Sequence, residues 1–190
     1  MDRPVLLLII AYAVSALAFV PHMLFLSSFV AIGLHRGIAA GAAVMAWFGV
    51  AAALGPVILG RVADRFGFLA TLAASYVVMA AAVGLPLLNH STPALDISAI
   101  GVGAVGLGAV MLAAGAIAGL VPTHRLAADW GVATMAYAVA QALTAAGFSN
   151  LFHVTGSYPL LFFIGTIGMV VSVVLVTAAA RHGRRVPVLN

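Results

Sequence analysis

The chain contains no cysteine, no lysine and no glutamate. Without cysteine there can be no disulfide and no thiolate metal site. Charge of either sign is scarce: four acidic residues, all Asp, and eight basic ones, all Arg, make up 6% of the 190 residues. Soluble domains carry about 25% charged residues. Hydrophobic residues fill 65% of the chain, and the mean hydropathy is +1.23. A chain with so few charges cannot cover its surface against water, so its solvent must be lipid. Paired carboxylates, a nucleophile beside a base, and clustered metal ligands are all missing, which excludes the common enzyme constellations. The six histidines, His22, His35, His90, His124, His153 and His182, are scattered along the chain. They suggest neither a metal site nor haem, and no cofactor is expected.

Long apolar runs are present instead. A membrane-spanning helix needs about 20 mostly apolar residues. Six stretches qualify, at about 5–34, 38–59, 68–88, 97–121, 130–148 and 158–180. Each is too long for a barrel strand and lacks the period-two alternation of one. The expected fold is therefore an all-α membrane protein of six transmembrane helices in a single domain. The first run is longer than a bilayer requires, which predicts tilt or a kink, and Pro21 inside it supplies a cause. Arg3 followed by Ala16-Leu17-Ala18 has the look of a cleavable signal. The apolar run continues to Leu34, however, well past a signal's hydrophobic core.

The arginines set the orientation. Arg3, Arg61, Arg65, Arg125, Arg181, Arg184 and Arg185 fall at the two ends and in the second and fourth connections, and only Arg36 falls on the other side. This asymmetry predicts both termini in the cytoplasm of a cell with the protein in its inner (plasma) membrane. It also accounts for the sequence pI of 10.4 without a nucleic-acid partner.

The fourth run is rich in small residues, including Gly101, Gly103, Gly106, Gly108, Gly115 and Gly119. Its Gly101-x-Gly103-x-x-Gly106 follows no strand, so it is not a nucleotide fingerprint. Small residues let helices approach closely in lipid, and Gly115 with Gly119 has the required spacing.

The second connection reads Gly60-Arg61-Val-Ala-Asp64-Arg65-Phe-Gly67. Glycines at both ends suit a tight turn. Asp64, just ahead of the third helix, would face its free amides, and Arg61 and Arg65 would lie among lipid headgroups. The segment resembles the signature G-x-x-x-D-[RK]-x-G-[RK]-[RK] of the major facilitator superfamily, which lies between the second and third helices of each six-helix half. Pro122-Thr-His-Arg125-Leu-Ala-Ala128 resembles the loop after a half's fourth helix. Trp47-Phe-Gly49, Gly55-Pro56, Leu59-Gly60-Arg61 and Gly156-Ser157-Tyr158 resemble the C-terminal half of the YbfB/YjiJ-type branch. The resemblance implies half of a major facilitator fold with a 3+3 inverted repeat. It also implies a gating role for Gly60, Arg61, Asp64, Arg65 and Gly67. The closing basic pair of the signature is replaced by Phe68-Leu69. Ser149-x-x-x-His153-x-x-Gly156 repeats the spacing of Gly60-x-x-x-Asp64-x-x-Gly67 on the opposite face, as an inverted repeat would.

Polar groups within spans mark a path or a partner. His22 lies mid-span, with Tyr12 a few turns earlier. Tyr137 and Gln141 are four residues apart and share a face. No carboxylate is expected deep in a span, since Asp2, Asp64, Asp96 and Asp129 all fall at helix ends. His22, Tyr137 and Gln141 are the expected lining of a substrate path, because the resemblance places the first helix of each half on that path. Tyr12 and Trp47 read as packing or interface aromatics. The expected function is a half-size transporter of small molecules, acting as a dimer or with a second six-helix half from another chain. The alternative is a non-transporting accessory or assembly subunit of a larger membrane complex such as a respiratory oxidase.

Overall fold

The computed structural model of the chain describes residues 2–183, so Arg184 and Arg185 lie outside the described residues. Among those residues there are helices and no strands. The helices are α1 (Arg3–Val14), α2 (Ala16–Ser28), α3 (Ile38–Phe66), α4 (Phe68–Leu88), α5 (Thr92–Ala118), α6 (Thr123–Thr155) and α7 (Tyr158–Gly183). A π-helical turn, Phe29–Gly33, extends α2, so that α1, α2 and this turn form one span. Six spans are long and apolar enough to cross a membrane.

The first span breaks at Ser15, six residues before Pro21. Pro21 cannot donate to the Leu17 carbonyl, and its ring crowds that oxygen, which forces the chain to bend toward its N-terminal side. The Ser15 hydroxyl turns back to the Tyr12 carbonyl at 2.6 Å. The Leu17 carbonyl faces Gly165 of α7, where a Cβ would lie 2.9 Å from the oxygen. The missing side chain at Gly165 is what lets α7 lie against the bend.

Two spans run further than hydropathy indicates. α3 continues through the charged segment to Phe66, and α6 starts at Thr123 and ends at Thr155. At about 1.5 Å per residue, a helix of 33 residues is roughly 50 Å long, against about 30 Å of hydrocarbon. Both helices therefore project into the headgroup layer.

The packing is that of an inverted repeat. α3 lies on α5 while α6 lies on α1 and α2; α4 also lies on α5 while α7 lies on α1 and α2; α4 and α7 meet each other. Each pair of equivalents (α3 with α6, α4 with α7) thus docks on the first span of the other repeat. The closest approach is between α3 and α5. A Cβ on Gly55 would lie 2.2 Å from the Ala104 carbonyl oxygen, and one on Gly103 would lie 2.3 Å from that of Phe48. The small-residue face of α5 is used for contact as expected: Gly115 meets the Phe68 ring of α4 and Gly103 the backbone of α3, whereas Gly119 meets only its own helix.

Burial is uneven. In the apolar windows of α3 and α6, 22% and 17% of residues are buried, against 61% for the first span and 56% for α5. The two equivalent helices α3 and α6 are therefore the least covered.

Candidate functional site

The charged motif is helical. Gly60, Arg61, Asp64 and Arg65 occupy the last two turns of α3, and only Gly67 forms the connection, at φ +88°. The expectation that Asp64 caps the next helix is corrected. It sits in the last turn of α3, where the helix dipole does not favour an anion, and α4 begins after Gly67 with no side-chain cap. Gly60 is not a turn residue either; it faces the Met111 side chain. Arg61, Asp64 and Arg65 are all exposed. Asp64 has no ion-pair or hydrogen-bonding partner among the described residues. Arg65 lies over the ring of its neighbour Phe66, 5.5 Å from the centroid. In the equivalent turn, α6 ends at Gly156 with φ +62°. The two matching sequence segments thus share a positive-φ glycine, though Gly67 is extended in ψ and Gly156 is left-handed helical.

His22 is fully buried. Its Nε2 lies 2.8 Å from Ser98 Oγ on α5, and that hydroxyl donates to the Ala82 carbonyl of α4 at 2.7 Å. The single Ser98 proton is thereby used. Nε2 must carry hydrogen and donate to Ser98, leaving Nδ1 as a bare acceptor. Nδ1 has no partner. The ring meets Phe162 of α7 edge-on, with centroids 5.2 Å apart. Every one of these contacts points into the core between α2, α4, α5 and α7. The expected shared surface of His22 with Tyr137 and Gln141 is therefore not formed: His22 is inside the bundle.

Tyr137 and Gln141 do lie together, one turn apart on α6 and half-buried. Tyr137 stacks on Tyr12 with centroids 4.5 Å apart and rings inclined by 17°. Tyr12 in turn stacks on Trp130 at 6.0 Å and 27°. Behind Tyr12, the buried Tyr76 hydroxyl donates to Ser15 Oγ at 3.3 Å. The amide of Gln141 and the hydroxyls of Tyr12 and Tyr137 have no hydrogen-bond partner among the described residues. Gln141 stands near the midpoint of Thr123–Thr155, at the depth where an unpaired amide is most costly.

The ring column leads toward an ion cluster that the hydropathy pattern concealed. Asp129 is buried, 5% exposed, seven positions into the family of residues 123–155 that form α6 rather than at its start. Arg125 reaches it at 3.4 Å and reaches Asp2 at 3.7 Å, tying the start of the first span to α6. At the opposite end, the lone Arg36 donates to the His90 carbonyl and, at 3.2 Å, to Thr92 Oγ1. It latches one connection to another. Among the described residues no three His, Asp or Glu side chains come together to hold a metal.

No curated protein matches the chain. The family model described as uncharacterised MFS-type transporter YbfB matches residues 1–177, which spans the charged motif, both glycine turns and all the side chains of the ring column. This chain belongs to that family of the major facilitator superfamily.

Proposed function

We propose that this six-helix unit is one half of a membrane transporter of small molecules, with the path running between it and a second six-helix half. The second half is another copy or a different chain, and both described ends of the unit face the cytoplasm of the inner membrane. One observation carries the reading. Gln141 holds an unpaired amide at mid-bilayer depth on α6, one turn from the partly buried Tyr137. In lipid such a group needs a partner, and a water-lined path or a solute supplies one. The sparse cover on α3 and α6 supports the same reading, since a second half laid on these helices would bury them. Exposed Asp64 fits it too. It stands at the end of the bundle where α6 begins, and that helix has neither a side-chain cap nor an acid in its first turn. Across a twofold axis along the membrane normal, Asp64 of one half would meet the amides of the other half's α6.

A second reading is a non-transporting subunit docked on a larger membrane complex. Phe68-Leu69 in place of the basic pair favours it, as does the seclusion of His22, the one mid-span histidine.

The native mass of the protein, extracted gently from its own membranes with its companions identified, tests the proposal. A pair of six-helix units is expected. Isolation in fixed ratio with a large enzyme complex, and with no second half, would overturn the carrier reading and establish the subunit one.

A further inference from the structure

We infer that the solutes handled on this wall are uncharged, planar heteroaromatic molecules, held against Tyr137 and Gln141 at mid-membrane. The inference rests on the carrier reading above and gives it a substrate class.

Three rings, Tyr137, Tyr12 and Trp130, form a column with nearly parallel planes. Tyr12 is the covered middle ring, 3% exposed, whereas Tyr137 is only half-buried. Tyr137 therefore ends the column, with no further ring stacked on it among the described residues. A flat guest can stack there in the offset manner that aromatic faces prefer. One turn along α6, Gln141 offers an N–H donor pair and a carbonyl acceptor side by side. That set matches the donor and acceptor atoms along the edge of a heteroaromatic ring. The hydroxyls of Tyr12 and Tyr137, the indole N–H of Trp130 and the hydroxyl of Thr144 also have no hydrogen-bond partner among the described residues.

The same inventory excludes other classes. A sugar would bring hydroxyls on every side, and a stacked ring face satisfies none of them, leaving too few polar groups on the rest of the wall. A fully charged guest would need a counter-charge at this depth. The nearest carboxylate along the helix is Asp129, two turns from Tyr137 and already held by Arg125. A neutral flat molecule is what remains. The column also gives such a molecule a direction, from Gln141 past the rings toward the Arg125–Asp129 pair.

The test is equilibrium binding of tritiated adenine, uracil and nicotinamide to the protein held with its native companions in lipid nanodiscs. Saturable binding of at least one probe is expected. Tyr137→Ala and Gln141→Leu should each weaken it tenfold or more, Tyr137→Phe should retain it within about threefold because the ring is kept, and excess glucose should not displace it. Tyr137→Phe guards against misreading a folding defect, since it preserves the packing while Tyr137→Ala does not. No saturable binding of any probe, equal affinity in Tyr137→Ala and Gln141→Leu, or competition by glucose would overturn the inference. Uptake of a non-planar solute by a proven pair of halves would overturn it too while leaving the carrier reading intact. Co-isolation with an enzyme complex would remove both.

Discussion

His22 shows what a mid-span histidine can do without touching a solute. Its Nε2–H bonds Ser98, whose own proton goes to Ala82, and so three helices are joined by one chain of two hydrogen bonds. Single interhelical hydrogen bonds in membranes average about 0.6 kcal/mol, and leaving a buried partner unpaired adds to that, so Ser98→Ala is expected to destabilise the protein by about 1 kcal/mol. Adding His22→Leu to Ser98→Ala should restore part of it, because it removes the stranded His22 donor while the Ala82 carbonyl, four residues before Pro86, still lacks one. Unfolding in mixed micelles would read the difference. If the single variant unfolds like the parent, the chain of bonds holds nothing. If it keeps its stability and loses transport, His22 belongs to the path after all. The sequence exposes His22 as a rare polar group in an apolar run, which correctly marks it as partnered. It cannot show that the partner is 76 positions away, so the choice between core and path was not legible. Tyr137 and Gln141 were legible as a pair because helical spacing alone sets their common face. Tyr12 was legible as a packing aromatic, but not its partners, because they are rings from another span.

At the scale of the element, hydropathy locates spans well and ends poorly. It measures the depth of lipid, whereas backbone hydrogen bonds continue into the headgroups wherever the residues tolerate a helix. Arg61 through Phe66 and Thr123 through Asp129 do so, which is why α3 and α6 outrun the apolar stretches and why Asp129 lies inside a helix. Glycines were legible as a packing face, but not which of them carries the closest contact. That contact is decided at Gly55 and Gly103, where backbone meets backbone. A carbonyl cannot swing aside as a side chain can, so Gly55→Ala must push α3 from α5. Overpacking typically costs about 1–3 kcal/mol, and Gly55→Ala is expected at the upper end, with loss of a monodisperse peak on size exclusion in detergent. Gly49→Ala, on the same helix with open space at its Cβ position, should be neutral or slightly stabilising by helix propensity. Equal behaviour of the two variants would show that the close crossing is not what fixes these helices.

For the whole molecule, the repeat and the charge asymmetry make separate statements that can be separated by experiment. The repeat relates α3 to α6 and α4 to α7, a relation visible in the sequence only as two short turns with one spacing and confirmed in the structure by their positive-φ glycines and reciprocal docking. It says nothing about which end faces the cytoplasm. Arginine placement does, because the charged segments resist translocation during insertion. The one exception, Arg36, is occupied as a latch onto His90 and Thr92, so its position reflects a structural use rather than a competing signal. Absence of native cysteine makes the orientation directly measurable. Asp64→Cys and Ser91→Cys each place one thiol at an exposed position at opposite ends of the bundle. With a membrane-impermeant maleimide applied to intact spheroplasts, Ser91→Cys should label and Asp64→Cys should not, and opening the cells should make Asp64→Cys reactive. The reverse pattern would mean that seven arginines of eight had been carried across the membrane, and it would turn the ring column's charged end toward the outside. Labelling of both in intact cells would mean two orientations coexist. A pair of halves could then assemble antiparallel, with Asp64 of one unit far from the start of α6 in the other, and the twofold axis would have to lie in the membrane plane.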